Sequence, residues 1–271
     1  MKVRLSNIAA LLLLVTVALG GCQSLPPTTE PVVDAAPITT TPQDPHAYYA
    51  MCGGRLTDLE EVIRPIIASM VAQEIPYTQD PANEWRDCSG TFLRLSSYLA
   101  ETCPELNGRL VATKGIRDYE PGADNDAGPA SAAARTTRSI AKWYSENKSF
   151  VPIYYDPALG DRKALAELRD LIRPGAVLWF SRQKPSKTAG LQPLFTRQIN
   201  HMGTVVSVKR DAAGHVVRYT MYHGRSKGKK ARVTEHHYWQ WPTMFTRGGK
   251  TYPPLGYWDQ YLVGIAPIAE A

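Results

Sequence analysis

Three residues of this chain, Cys88, His201 and His223, have the types that nucleophilic catalysis requires. Cys88 stands in Asp87-Cys88-Ser89-Gly90, directly before the apolar positions Phe92, Leu93, Leu95, Tyr98 and Leu99. That periodicity predicts a helix running from Cys88 towards Cys103-Pro104, with Asp87 as its N-cap. A thiol at such a position meets unpaired N–H groups and the positive end of the helix dipole, which lower its pKa and favour the thiolate. The tetrapeptide alone fits a small buried cysteine beside a cap equally well. A base decides between the two.

Two histidines are placed to supply one. His201 opens the β-like run His201-Met202-Gly203-Thr204-Val205-Val206, and the next such run ends at His223. Asp211-Ala212-Ala213-Gly214 between them has turn chemistry. A turn centred there pairs residues whose numbers sum to about 424, so His201 faces His223 across the ladder. His215 falls near the hairpin tip and reads as a solvated surface residue. Val217, Tyr219, Met221 and His223 share one parity, which puts His223 on an apolar face. A single histidine is more often a hydrogen-bonded structural residue than a base. Two that face each other, together with a capped cysteine, shift that balance.

The elements that must hold these residues follow from periodicity. Thr57-Asp58-Leu59-Glu60 has the form of a capping box, and Leu59, Val62, Ile63, Ile66, Ile67, Met70 and Val71 recur at helical spacing. Pro65 predicts a kink or a broken turn within that helix. Tyr119 to Ala130 reads as a loop, and helices are expected from Arg135 to Tyr144 and from Arg162 to Ile172. Beyond Gly175 the period becomes two. Ala176–Ser181, Met202–Val208, His215–Tyr222, Arg232–Tyr238 and Tyr261–Ala266 read as strands. Helices followed by successive strands argue for an α+β fold with an antiparallel sheet.

In order along the chain stand Asp87-Cys88-Ser89-Gly90, Arg173-Pro174-Gly175-Ala176-Val177-Leu178-Trp179-Phe180, His201-Met202-Gly203 and Tyr222-His223-Gly224. This succession resembles the NlpC-type cell-wall cysteine peptidases over roughly Thr57 to Ala266. Four ordered elements are far more specific than any one. The resemblance implies a papain-like NlpC-type α+β fold, with N-terminal helices packed on a central antiparallel sheet. It implies Cys88 as nucleophile, His201 as base and His223 as the group orienting that base. Tyr77, in Ile75-Pro76-Tyr77, stands where the family places a tyrosine that helps define the oxyanion site. The implied substrate is peptidoglycan, cut in the stem peptide after the D-glutamyl residue, with no metal or organic cofactor. An amidase cutting at the sugar-linked alanine and an inactive lipid-tethered binding protein are the alternatives. Ala176 departs from the acidic residue usual after Pro-Gly. The segment Cys103 to Ala134 and the hairpin His201 to His223 are longer than the family norm.

The N-terminus reads as an address. Lys2 and Arg4 precede an apolar run from Ile8 to Leu19, the pattern of a secretory signal peptide over 1–21. Leu19-Gly20-Gly21-Cys22 resembles a bacterial lipobox, which implies acylation of Cys22 and attachment to a lipid bilayer. No Asp stands beside Cys22, which by the same resemblance leans towards the outer membrane, facing the periplasm. Residues 22–45, rich in Pro and Thr, form an expected tether, and 46–271 the hydrolase domain. With Cys22 set aside, a Cys52–Cys103 disulfide would leave Cys88 as a free thiol in an oxidising compartment.

Composition narrows the rest. The 271 residues are 44% hydrophobic, enough for a substantial core, and the net charge of +6 drops to +4 without Lys2 and Arg4. No zinc-finger spacing, basic helix or stacked-aromatic signature points to nucleic acid. His236-His237 could join His223 and a cysteine around zinc, but neither His-Glu-x-x-His nor Cys-x-x-Cys is present, and adjacent strand residues point to opposite faces. Tyr238, Trp239, Trp241, Phe245, Tyr252, Tyr257 and Trp258 read as packing in preference to a sugar groove. Arg225, Lys227, Lys229, Lys230 and Arg232 form a basic stretch able to attract carboxylates.

Overall fold

The computed structural model describes residues 47–74, 87–106, 136–147, 149–154, 169–225, 228–236, 245–253 and 256–269, all within a compact unit spanning 40–271. Tyr77, Cys22, the 1–45 segment and the 119–130 loop therefore lie outside the described residues, as does most of the expected 162–172 helix. The fold begins with a hairpin that sequence reading missed, β1 (Tyr49–Cys52) and β2 (Arg55–Asp58). Gly53 and Gly54 turn it, with φ of 61° and 73°. Two successive left-handed residues suit the tight turn of a two-residue hairpin, and Gly-Gly supplies them without steric cost.

Helix α1 (Leu59–Ala72) follows directly, capped by Asp58, whose carboxylate accepts the Glu60 N–H at 2.8 Å. The cap is one residue later than the sequence pattern suggests, because the Thr57 hydroxyl turns back to the Arg55 carbonyl. The helix continues through exposed Pro65, while Leu59, Val62, Ile63, Ile67 and Met70 are buried. Packing of that face holds the helix through the one backbone bond that proline cannot donate. Helix α2 (Cys88–Thr102) has the expected span, and α3 (Thr137–Glu146) is capped by Thr136.

The main sheet runs β3 (Val151–Pro152), β10 (Tyr261–Pro267), β4 (Ala176–Ser181), β5 (Ile199–Arg210), β6 (Val216–His223) and β7 (Arg232–His236), in that spatial order and antiparallel throughout. A separate hairpin joins β8 (Phe245–Arg247) to β9 (Lys250–Tyr252). The protein is thus α+β with an antiparallel sheet. No described helix is long and apolar enough to cross a membrane.

Strand β4 is buried on both faces. Val177 and Trp179 join α1, α2 and α3 in one core, while Ala176, Leu178 and Phe180 face a second core with Val205, Tyr219, Met221, Leu262 and Ile265. Burying each large apolar side chain contributes about 1.5–3 kcal/mol, so this central strand is the fold's anchor. Gly175 enters it at φ 82°, its N–H bonded to the Val205 carbonyl and its carbonyl to the Ile268 N–H. A Cβ there would come 3.0 Å from Leu59 Cδ1, so α1 is seated against the start of the strand.

Cys52 and Cys103 are joined in a disulfide, with Cα atoms 4.5 Å apart, and Cys88 is free. The bond ties the first hairpin to the C-terminal end of the helix that begins at Cys88. It closes 51 residues of sequence, so Cys52→Ala/Cys103→Ala should lower unfolding free energy by about 2–4 kcal/mol. Denaturant melts of the oxidised protein and the double variant test this, and equal midpoints would contradict it.

Candidate active site

The β5/β6 ladder starts at Thr204↔Tyr222 and ends at Arg210↔Val216, so the turn is centred slightly later than expected and the paired numbers sum to 426 at both ends, the two bulges raising the sum to 427 only between them. His201 and His223 are therefore not ladder partners, and continuing the register places His223 across from Gly203. The strands are unpaired at this end, and the first turn of α2 packs there. A Cβ on Gly224 would lie 2.9 Å from the Cys88 nitrogen and 3.0 Å from its Cα. The Met202 N–H faces the Cys88 thiol. The nucleophile candidate is thus flanked by both histidine-bearing segments, His201-Met202 and His223-Gly224.

Asp87 caps α2 as expected. Its carboxylate accepts the Gly90 N–H at 2.7 Å and the Ser89 hydroxyl at 3.0 Å, and its carbonyl accepts the Thr91 hydroxyl at 2.7 Å. The helix-start argument for a thiolate is overturned, however. Enclosure by protein and the Asp87 charge push the Cys88 thiol up to about 12, outweighing the N–H groups of Ser89, Cys88 and Met202 that favour the anion. The residue as a whole is half-buried.

His201 belongs to a cluster of three mutually close rings. Tyr257 stacks on it with centroids 4.8 Å apart, and Phe180 lies at 6.0 Å. Burial, followed by the neighbouring His223 and His236, holds its pKa well below the ordinary 6.5. Its Nε2 is 3.1 Å from His223 Nδ1, so the two rings meet as the sequence suggests, diagonally instead of straight across. Their contact requires glycine at 203. A Cβ there would come 3.0 Å from His223 Cβ and 2.5 Å from Met221 Sδ. Burial also lowers His223, to about 4, with Arg225 and Arg232 acting in the same direction and the Gly224 carbonyl opposing them.

Sequence reading missed what lies beyond His223. Its Nε2 is 2.7 Å from Thr234 Oγ1, which is 2.8 Å from His236 Nε2. Thr234 and His236 sit opposite Met221 and Tyr219 in the β6/β7 register, on the face that carries His223. The signal in the sequence is Thr-x-His at strand spacing, which points both side chains to one face. Hydrogen bonds instead string His201, His223 and, through Thr234, His236 into a line, and no cluster of metal-binding form occurs among the described residues. His215 is also corrected. Its Nδ1 pairs with Asp170 Oδ2 at 3.2 Å, so it is part of a half-buried contact and not simply solvated. In the basic stretch, Lys230 pairs with Glu74, while Lys227 lies outside the described residues.

No family model matches the chain, and neither curated proteins nor solved structures give a match. The geometry stands by itself: a thiol at a capped helix start, beside the two strand segments that carry two buried imidazoles in mutual contact. A thiol and an imidazole are the residue types that exchange a proton in nucleophilic catalysis.

Two outcomes follow. Asp87→Asn keeps a good cap while removing the charge, so Cys88 alkylation at neutral pH should accelerate; Asp87→Ala should additionally lower stability by about 0.5–2 kcal/mol. Unchanged alkylation in Asp87→Asn would contradict the electrostatic role. The second outcome concerns stability against pH. Unfolded His201 and His223 take up protons near 6.5, but the folded residues do so only at lower pH. The unfolded state therefore binds more protons, and stability falls as pH drops below 6.5, the His223 share levelling off near 4. Unfolded Cys88 ionises near 9 and the folded thiol near 12, so stability also falls as pH rises above 9. Thermal melts should peak between about pH 7 and 8.5. A melting temperature constant from pH 7 to 4 would contradict the burial of the two rings.

Proposed function

We propose that this protein is a cysteine hydrolase with a papain-like NlpC-type fold, held on a bilayer through acylated Cys22 and acting on peptidoglycan in the cell envelope. The observation that carries the reading is the placement of Cys88 between His201-Met202 and His223-Gly224. The four ordered motifs and the lipobox-like Leu-Gly-Gly-Cys support it.

In this reading Cys88 Sγ attacks the carbonyl carbon of an amide while His201 takes the thiol proton. A raised thiol pKa and a neutral imidazole mean that this proton leaves as the C–S bond forms, not beforehand. The His223 ring, whose Nδ1 is 3.1 Å from His201 Nε2, orients the His201 imidazole. The Cys88 N–H, with Tyr77 by family resemblance, stabilises the oxyanion. The C–N bond then breaks as His201 returns its proton to the leaving amine, leaving a thioester. Water, with His201 again as base, hydrolyses the thioester and restores the thiol. The bond favoured by the resemblance is the one after the D-glutamyl residue.

Purified peptidoglycan incubated with wild type, His201→Ala and Cys88→Ala tests the proposal. Wild type should release peptide fragments with a new amino terminus after D-glutamate, Cys88→Ala none, and His201→Ala about 10²–10⁴-fold less. Identical fragments from wild type and Cys88→Ala, or none from any protein across a range of pH, would sink it.

A further inference from the structure

Two arginines stand beside the histidines without a carboxylate, although cations nearby have one. Partners across an antiparallel ladder carry their side chains on the same face. His223 is the ladder partner of Arg232, and Arg232, Thr234 and His236 alternate along β7 with Val233 and Glu235. Arg232 therefore stands on the histidine face, directly across from His223, and it is exposed. Arg225 is half-buried and follows Gly224, the glycine packed against the Cys88 backbone. Both guanidinium groups lie near enough to His223 to disfavour its protonation.

On the opposite face of the same two strands Arg218 pairs with Glu235 at 3.2 Å, and Lys230 pairs with Glu74. Asp87, whose charge acts on Cys88, is engaged with the Gly90 N–H and the Ser89 hydroxyl. Among the described residues neither Arg225 nor Arg232 has a hydrogen-bond or ion-pair partner. A guanidinium presents a planar fork of N–H donors that matches a carboxylate, and it stays charged throughout the working pH range. Position sets these two apart from ordinary solvated arginines, since one faces His223 across the ladder and the other follows the glycine that seats Cys88.

We propose that Arg225 and Arg232 form a carboxylate-binding subsite beside Cys88, which selects substrates carrying a free carboxylate next to the amide that is cut. The inference rests on Cys88 as the nucleophile of the proposed hydrolase and names the charge its substrate must bring. A carboxylate can accept from both forks. A carboxamide of the same shape brings no charge and sets its own N–H donors against those of the arginines, so amidated substrates are disfavoured. The Asp87 carboxylate opposes any anion near Cys88, and the two arginines offset that repulsion.

Iodoacetate and iodoacetamide, nearly equal in size and different in charge, probe the subsite without a substrate. The ratio of their Cys88 alkylation rates, measured from pH 7 to 9, cancels any change in thiol reactivity, including one transmitted through His223. The iodoacetate-to-iodoacetamide ratio should fall about tenfold in Arg225→Gln/Arg232→Gln, less in either single variant, and in wild type it should fall with added salt. Arg232→Lys, which keeps the charge but not the fork, should recover part of the loss. Lys209→Gln/Arg218→Gln removes the same charge from an exposed ladder pair towards the other end of the β5/β6 hairpin and should leave the ratio unchanged. A wild-type ratio in the double arginine variant, or an equal fall in that control, would overturn the subsite. A second arm compares kcat/KM for γ-D-glutamyl-linked stem peptides with the α-carboxylate free or amidated. Wild type should favour the free acid about tenfold and Arg225→Gln/Arg232→Gln should not. Equal rates for the two peptides in wild type would overturn the selection. Hydrolysis of neither peptide, with the expected alkylation ratios, would overturn the hydrolase reading and leave the anion subsite standing. A Cys88 that reacts with neither reagent would overturn both.

Discussion

A glycine backbone at position 224 lies so near the Cys88 amide that a single methyl group would meet it at 2.9 Å. The β5/β6 ladder begins only at Thr204↔Tyr222, so the His201 and His223 ends of the strands carry no ladder pair where this approach occurs. The first turn of α2 packs at this end, and the Met202 N–H, which has no β6 partner, is turned to the sulfur. Everything at the site depends on this fit of a helix start against unpaired strand ends. Gly203 extends it, since only a missing side chain lets the His223 and Met221 side chains stand against β5. The opposite end of α2 is tied to the first hairpin by Cys52–Cys103, so the helix is held at both ends.

Burial then decides the electrostatics. A helix start, with its free N–H groups, pulls a thiol towards ionisation, but here enclosure and the neighbouring Asp87 pull harder in the other direction. The same Asp87 is needed to cap the helix. Local stability and thiol acidity are thus set against each other by one carboxylate. The rings of Tyr257 and Phe180 keep His201 neutral, ready to accept a proton instead of already holding one. A thiol held in the protonated form is also a poorer target for oxidation, which follows thiolate character.

Much of this was legible in the chain itself. The helix beginning at Cys88, its Asp87 cap, the strand Ala176–Ser181 and the hairpin ending at His223 follow from local periodicity and turn residues. Those signals involve side chains within a few positions of one another. The α+β class follows from their order. The Gly53-Gly54 hairpin was equally legible as a two-glycine turn and was passed over. Pro65 shows where a local rule loses, because the buried face of α1 holds the helix past a missing hydrogen bond.

The sequence by itself determined the chemistry available: a capped cysteine, two histidines at strand ends, and enough apolar residues to bury them. Only the tertiary structure decided how that chemistry is tuned. The β5/β6 turn is centred so that paired residue numbers sum to 426 instead of about 424 at the histidine end, which turns a straight pair of histidines into a diagonal one. The β6/β7 register brings Thr234 and His236 onto the His223 face. Helix packing sets how deeply Cys88 is enclosed. Each of these depends on contacts between residues far apart in the chain, and pKa and tautomer follow from the solvent and partners those contacts exclude or admit.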